Sequence, residues 1–211
     1  VLVDWTVRDQ VLQGGRITVL DGTETLELIG DGTRVTGVTV RPDGGGPAER
    51  LEADLVVDAT GRGSSLRPWL ERHGVGPVQQ DLVDSGIMYA TRPFRAPVDL
   101  ADFPLVSVYG DHRRPDPGRN GLLFPVEGNR WLVTLSSTRG GEPPADEDTF
   151  LDFAAGLRHP VIADLLRLAE PDGPVRRSRT TSNRRLYFDR LAQWPDGLVA
   201  VGDAMTAFNP V

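Results

Sequence analysis

Cysteine and lysine are both absent from the chain. Without cysteine it can form no disulfide, no thiolate metal site and no thiol nucleophile. Without lysine it can form no Schiff base, and all 23 basic residues are arginines. Histidine is scarce: His73, His112 and His159 have no metal-ligand spacing with one another or with a carboxylate pair, so no metal is expected. No apolar run approaches the roughly 18 residues of a membrane span, so no transmembrane segment is expected. Positive charge is never concentrated beyond pairs such as Arg113-Arg114 or Arg176-Arg177, and the net charge is −7. That pattern excludes nucleic acid as a partner, because phosphates require a positive footprint. The first residues, Val-Leu-Val-Asp-Trp, carry no initiator Met and no basic leader. The expectation is a segment that begins and ends inside a longer protein, located in the cytoplasm.

What remains is ordinary for a globular chain: 39% hydrophobic and 25% charged residues. Val1 to Gln13 reads as a helix with Leu2, Trp5, Val11 and Leu12 on one side, stopped by Gly14-Gly15. Ile17–Leu20, Glu24–Ile29, Thr33–Val40 and Glu49–Ala53 read as strands, the last three forming an antiparallel meander punctuated by Asp-Gly turns. Asp54–Asp58 is apolar at its centre, as a strand buried on both faces should be. A small-residue turn and a helix over Leu66–His73 follow, the helix ended by Gly74.

From Asp81 the pattern changes. Gly86–Arg92, Leu105–Tyr109, Leu122–Val126 and Trp131–Ser136 are strand-like, with Glu127-Gly-Asn129 as a hairpin turn. Ala145–Leu157 and Pro160–Leu168 read as helices, and Pro174–Ser182 as extended. Pro195-Asp-Gly197 then turns the chain into Leu198–Val201. The fold class expected is α/β, α+β overall. A partial Rossmann-like domain with the meander occupies 1–80 and 190–211. A mostly antiparallel β-sheet domain with helices, 81–189, is inserted in it.

Two stretches carry chemistry. Gly202-Asp203 follows a short apolar strand. An open α/β sheet places ligands beyond the carboxyl ends of such strands. Gly removes the Cβ clash, and Asp offers an acceptor for a polyol hydroxyl. A plain strand-end turn with Asp as an N-cap fits that dipeptide equally well. Ala59-Thr60-Gly61 reads as either an ordinary strand-to-helix turn or a close backbone approach to a nucleotide.

The strings Asp54-Leu-Val-Val-Asp-Ala-Thr-Gly-Arg-Gly-Ser64 and Val201-Gly-Asp-Ala-Met-Thr-Ala-Phe-Asn-Pro210 together resemble the FAD-dependent monooxygenases of the p-hydroxybenzoate-hydroxylase fold. With Pro125–Leu135 and Phe150–Pro171, the resemblance is strongest to the squalene-epoxidase-like and polyether-epoxidase-like branch. It implies that the first domain binds FAD and the second binds substrate. Thr60, Gly61, Gly202, Asp203 and Pro210 would contact the cofactor, and Tyr89, Phe124 and Trp131 the substrate. Asp203 would meet the ribityl chain, and Pro210 would lie near the isoalloxazine ring. It implies epoxidation or hydroxylation of a lipophilic natural-product intermediate by a flavin C4a-hydroperoxide. The partners would be O₂ and NAD(P)H, or a separate flavin or NAD(P)H reductase. No catalytic acid or base is implied. The G-x-G-x-x-G that seats the pyrophosphate in such enzymes is absent, so this segment alone is expected to hold FAD weakly and to be inactive. Alternatives are a flavin reductase of isoprenoid double bonds, a flavin halogenase, or a β-rich binding module without cofactor.

Overall fold

The computed structural model describes residues 2–97, 103–179 and 181–209. They form two compact units, 1–79 with 187–205 and 80–186 with 206–211. Residues 206–209 lie in the second unit.

In the first unit, helix α1 (Leu2–Leu12) buries none of its residues, so the side bearing Leu2, Trp5 and Val11 is exposed. Ile17–Leu20, expected as a strand, forms none, since no partner supplies a ladder and Ile17, Val19 and Leu20 are exposed. The meander is present as β1 (Thr23–Gly30), β2 (Val35–Pro42) and β3 (Glu49–Glu52), paired antiparallel in that order. Asp31 holds the β1–β2 turn by accepting the backbone N–H groups of Thr33 and Arg34. With the Thr33 hydroxyl as the largest cause, these bonds lower its carboxyl pKa.

Strand β4 (Val56–Asp58) pairs in parallel with β13 (Leu198–Ala200), Val56 opposite Leu198 and Asp58 opposite Ala200. The expectation of burial on both faces fails here, because the sheet has two strands and Val57 is 51% exposed. Helix α2 (Leu66–Arg72) buries Leu66, Trp69 and Leu70, at the i, i+3, i+4 spacing of one face. Val35, Val75, Val78 and Leu198 are buried in the same unit.

The second unit is built on an antiparallel sheet. Its strands are β6 (Met88–Arg95), β7 (Val106–Val108), β8 (Asn120–Val126), β9 (Arg130–Ser137), β10 (Glu170–Pro171) and β11 (Arg176–Ser178). Their order is β10-β6-β9-β8-β7, with β11 also on β6. Alternation decides the faces. Ala90, Phe94, Leu123, Trp131, Val133 and Leu135 point into a core shared with α3 (Phe150–Ala155) and α4 (Val161–Leu166). Gly121 is required there: a Cβ on it would lie 2.5 Å from Leu157 Cδ1 and 2.8 Å from Ile162 Cδ1. The helix expected over Ala145–Leu157 is confined to α3, because residues 145–149 run as bends and turns in which Asp146 accepts the Thr149 N–H and hydroxyl. A smaller sheet, unexpected from sequence, joins β5 (Gln80–Val83), β12 (Asn183–Leu186) and β14 (Thr206–Ala207) in the order β14-β12-β5.

The β8–β9 turn places Gly128 at φ 78° and Asn129 at φ 53°, the paired left-handed geometry of tight hairpins. Asn129 also donates its Nδ2 to the Ala96 carbonyl at 3.0 Å. Asn129→Ala is expected to cost about 1–3 kcal/mol, combining the left-handed penalty with one lost hydrogen bond. Urea denaturation measures it, and Asn129→Gly should recover the conformational part.

Candidate functional site at the ends of two parallel strands

Both parallel strands of the first unit run directly into tight turns. At the end of β4, the Asp58 carboxylate accepts three hydrogen bonds. Oδ1 takes the Thr60 backbone N–H at 2.9 Å and the Thr60 hydroxyl at 2.5 Å, and Oδ2 takes the Ser64 hydroxyl at 2.5 Å. Ser64 Oγ in turn accepts the Leu66 N–H at 3.1 Å, which ties the turn to the start of α2. Between these anchors, Gly61 enters a short 3-10 turn, Gly61–Gly63, at φ 73°.

The Val201 N–H continues the ladder to the Asp58 carbonyl at 3.0 Å. Gly202 then opens a matching 3-10 turn, Gly202–Ala204, at φ 58°. Among the described residues no longer helix follows it for Asp203 to cap. The two turns lie side by side because their strands are in register. Arg62 Nε stands 3.9 Å from Asp203 Oδ2 across them. That carboxylate is more than half exposed, so the pair is weak and can open to a ligand.

The surface here is bare backbone. A Cβ on Gly202 would meet nothing within 4 Å, and one on Gly61 would meet only Asp203 Cβ at 3.9 Å. A cleft of about 130 Å³ runs alongside, lined by residues that include Thr25, Leu28, Val57, Asp58, Thr60 and Leu66. The structure therefore brings Thr60, Gly61, Gly202 and Asp203 together; Pro210 lies outside the described residues.

In the second unit, Tyr89 donates its phenol to Asn209 Oδ1 at 2.5 Å, and Asn209 N–H donates to Asn183 Oδ1 at 2.6 Å. Partial burial pushes the Tyr89 phenol above its usual range. Its raised folded-state pKa means that its share of stability is fully present below about pH 10 and is lost as pH rises through the folded value. An ultraviolet titration of native protein should show one phenol ionising late, and Tyr89→Phe should remove it at a stability cost of about 1 kcal/mol. Phe124 sits on the sheet face opposite the core, opposite Leu132 in register. Trp131 is on the core face, fully buried with its ring 5.9 Å from Phe103 and its Nε1 without a hydrogen-bond partner. The three aromatic residues expected at a substrate surface thus do not share one face.

His73 stacks on Trp69 at 4.2 Å, and His159 Nδ1 accepts the Val161 N–H at 3.2 Å. Among the described residues no group of His, Asp or Glu could hold a metal ion. Asp58, Ser64 and Arg62 are the residues that sequence reasoning missed at this site. Their signal was inside the quoted string: an acid at a strand end, with hydroxyls two and six residues later.

No family model matches the chain. It is 30% identical over 213 residues to Protein Rv3254 of Mycobacterium tuberculosis, covering 99% of this chain and 44% of that relative's length. Among solved structures it is similar to the flavin-dependent brominase Bmp2, with TM-score 0.72 and 15% identity over 99% of this chain and 49% of that one. It is also similar to a flavoprotein/dehydrogenase from Cytophaga hutchinsonii, with TM-score 0.67 and 15% identity over 99% and 47%. The third is HpxO of Klebsiella pneumoniae, complexed with FAD and uric acid, with TM-score 0.60 and 22% identity over 96% and 48%. The chain has the fold of these flavoenzymes. It spans less than half the length of the curated relative and about half that of the solved structures. Within this flavoenzyme fold, no helix among the described residues is long and apolar enough to cross a membrane.

Proposed function

We propose that the chain is part of an FAD-dependent oxidoreductase, and specifically of a monooxygenase acting on a lipophilic small molecule by epoxidation or hydroxylation. One observation carries the reading. Two parallel strands end in adjacent left-handed glycine turns, with an exposed carboxylate and a guanidinium between them. The residues present fit part of such a cofactor. The Gly202 turn leaves room for a ligand to reach the backbone, and Asp203 can accept a hydroxyl of its polyol or ribose portion. Arg62 would supply positive charge for its phosphates. Asp58 has a positioning role: it fixes the Thr60–Ser64 turn on which a ligand would rest.

The flavin supplies the redox chemistry and O₂ activation when bound. One oxygen atom of O₂ enters the substrate and the other leaves as water, using two electrons from NAD(P)H or a separate reductase and two protons. The protein's part is orientation and exclusion of water. Leu122, Phe124 and Leu132, on the sheet face away from the core, offer the apolar surface that a lipophilic substrate needs. The squalene-epoxidase-like assignment rests on the sequence strings and on Pro125–Leu135 and Phe150–Pro171. The two-domain division of labour, with cofactor on residues 1–80 and 190–211 and substrate on 81–189, belongs to the same proposal.

Halogenation is the second reading, favoured by the similarity to the brominase over 99% of the chain. Aerobic turnover of FAD-loaded full-length protein with ¹⁸O₂, with and without bromide, separates the two by mass spectrometry. Label in the product supports monooxygenation. A brominated product that requires bromide replaces that reading with halogenation. Unchanged substrate in both arms, across a panel of alkenes and aromatics, contradicts both.

A further inference from the structure

A second cleft lies wholly inside the unit made of residues 80–186 and 206–211. It is open to solvent and has a volume of about 570 Å³. Its walls come from three separate segments: the 110–119 loop that leads into β8, Gly140 beyond β9, and the Gly156–Arg158 turn after α3. Three arginines line it, Arg114, Arg119 and Arg158, against two acids, Asp111 and Asp116.

Both acids are already matched. Asp111 takes Arg113 Nε at 3.0 Å and Nη2 at 3.1 Å, and Asp116 takes Arg114 Nε at 3.2 Å. The carboxyl of Asp111 is held below its usual range, chiefly by the Arg113 hydrogen bonds, with a contribution from the charge of Arg158. Arg119 and Arg158 have no hydrogen bond or ion pair to an acid among the described residues. Arg119 is nonetheless held in place, its guanidinium 5.0 Å above the Phe153 ring. Gly156 lies beside it: a Cβ there would stand 3.4 Å from Arg119 Nη1, an ordinary contact. The result is a cleft in which two of three lining guanidiniums, Arg119 and Arg158, are not spent on an acid, in a chain whose net charge is −7.

We propose that this cleft binds the phosphate group of a small phosphorylated molecule. Guanidiniums recognise oxyanions through paired N–H donors. A carboxylate is planar and is satisfied by one such fork. A tetrahedral phosphate uses donors from several directions, as arginines on separate wall segments supply them. The cleft is larger than a phosphate ion, which leaves space for the attached organic part.

Calorimetric titration of the full-length polypeptide in which this sequence occurs with inorganic pyrophosphate at low salt tests this, with citrate as the carboxylate comparison. Pyrophosphate should bind. Arg119→Gln and Arg158→Gln should each weaken it about tenfold or more, the scale of one lost charge-assisted contact, while Arg16→Gln outside the cleft leaves it unchanged. Thermal melts identify any variant that loses its fold, and Arg158, which is not stacked on a ring, keeps the test alive if Arg119→Gln does. Absence of binding, or binding that survives both cleft substitutions, overturns the proposal. Citrate bound as tightly as pyrophosphate overturns the phosphate assignment.

Discussion

Asp58→Ala is expected to loosen the whole Thr60–Ser64 turn and to destabilise the protein by about 2–4 kcal/mol. The carboxylate accepts three hydrogen bonds at once, two of them from Thr60 and one from Ser64. Hydrogen bonds to a charged acceptor contribute roughly 1.5–3 kcal/mol each when buried, and partial exposure here reduces that for each bond. Asp58→Asn keeps an acceptor in place and should lose less than half as much. The loss should not stay local. Ser64 also accepts the first N–H of α2, whose Leu66, Trp69 and Leu70 are all buried, so fraying of the turn exposes that end of the helix. Urea titration followed by circular dichroism gives the stability change. A variant as stable as the parent would show that the turn is held by something other than Asp58.

Trp131→Ala should be the most damaging single substitution in the second unit, at about 3–5 kcal/mol, the usual cost of deleting a buried aromatic side chain. Trp131 is fully buried at the centre of a core shared by β6, β8, β9 and both helices. Its Nε1 has no partner in the structure, so Trp131→Phe removes an unsatisfied donor along with some volume. That variant should therefore cost clearly less, about 1–2 kcal/mol. The pair of measurements separates packing from polarity. Equal losses for Ala and Phe would mean that the indole N–H is hydrogen-bonded in solution.

Sequence patterning was most legible where strong turn residues separate β-rich runs that are neighbours in the chain. The meander and the strands flanking Glu127-Gly-Asn129 have such turns, and they fold as read. Legibility failed where pairing depends on distant chain. Gln80–Val83, Asn183–Leu186 and Thr206–Ala207 have little apolar alternation, and their pairing requires strands from both ends of the unit. Ile17–Leu20 shows the reverse error: high β propensity without a partner strand makes no strand. At the site, the glycines and Asp203 stood out because each has a local reason to follow a strand. Asp58 did not, because its task is to accept bonds from residues two and six positions onward, and a carboxylate ending an apolar run reads as simple termination. Trp131 was visible as an aromatic residue, but its face was fixed only by the register of β9 against β6 and β8.

The central claim is that the paired turns at Gly61 and Gly202, with Asp203 between them and solvent, form one wall of a flavin site. The most direct measurement is FAD binding by the full-length polypeptide in which this sequence occurs, followed by visible absorbance and by titration, for the parent and for Asp203→Ala. The expected result is a yellow protein that retains FAD, and an affinity about 10–100-fold weaker for Asp203→Ala, the equivalent of one lost hydrogen bond to a charged group. A folded, colourless polypeptide that takes up no FAD, or an Asp203→Ala variant that binds FAD as tightly as the parent, would contradict it.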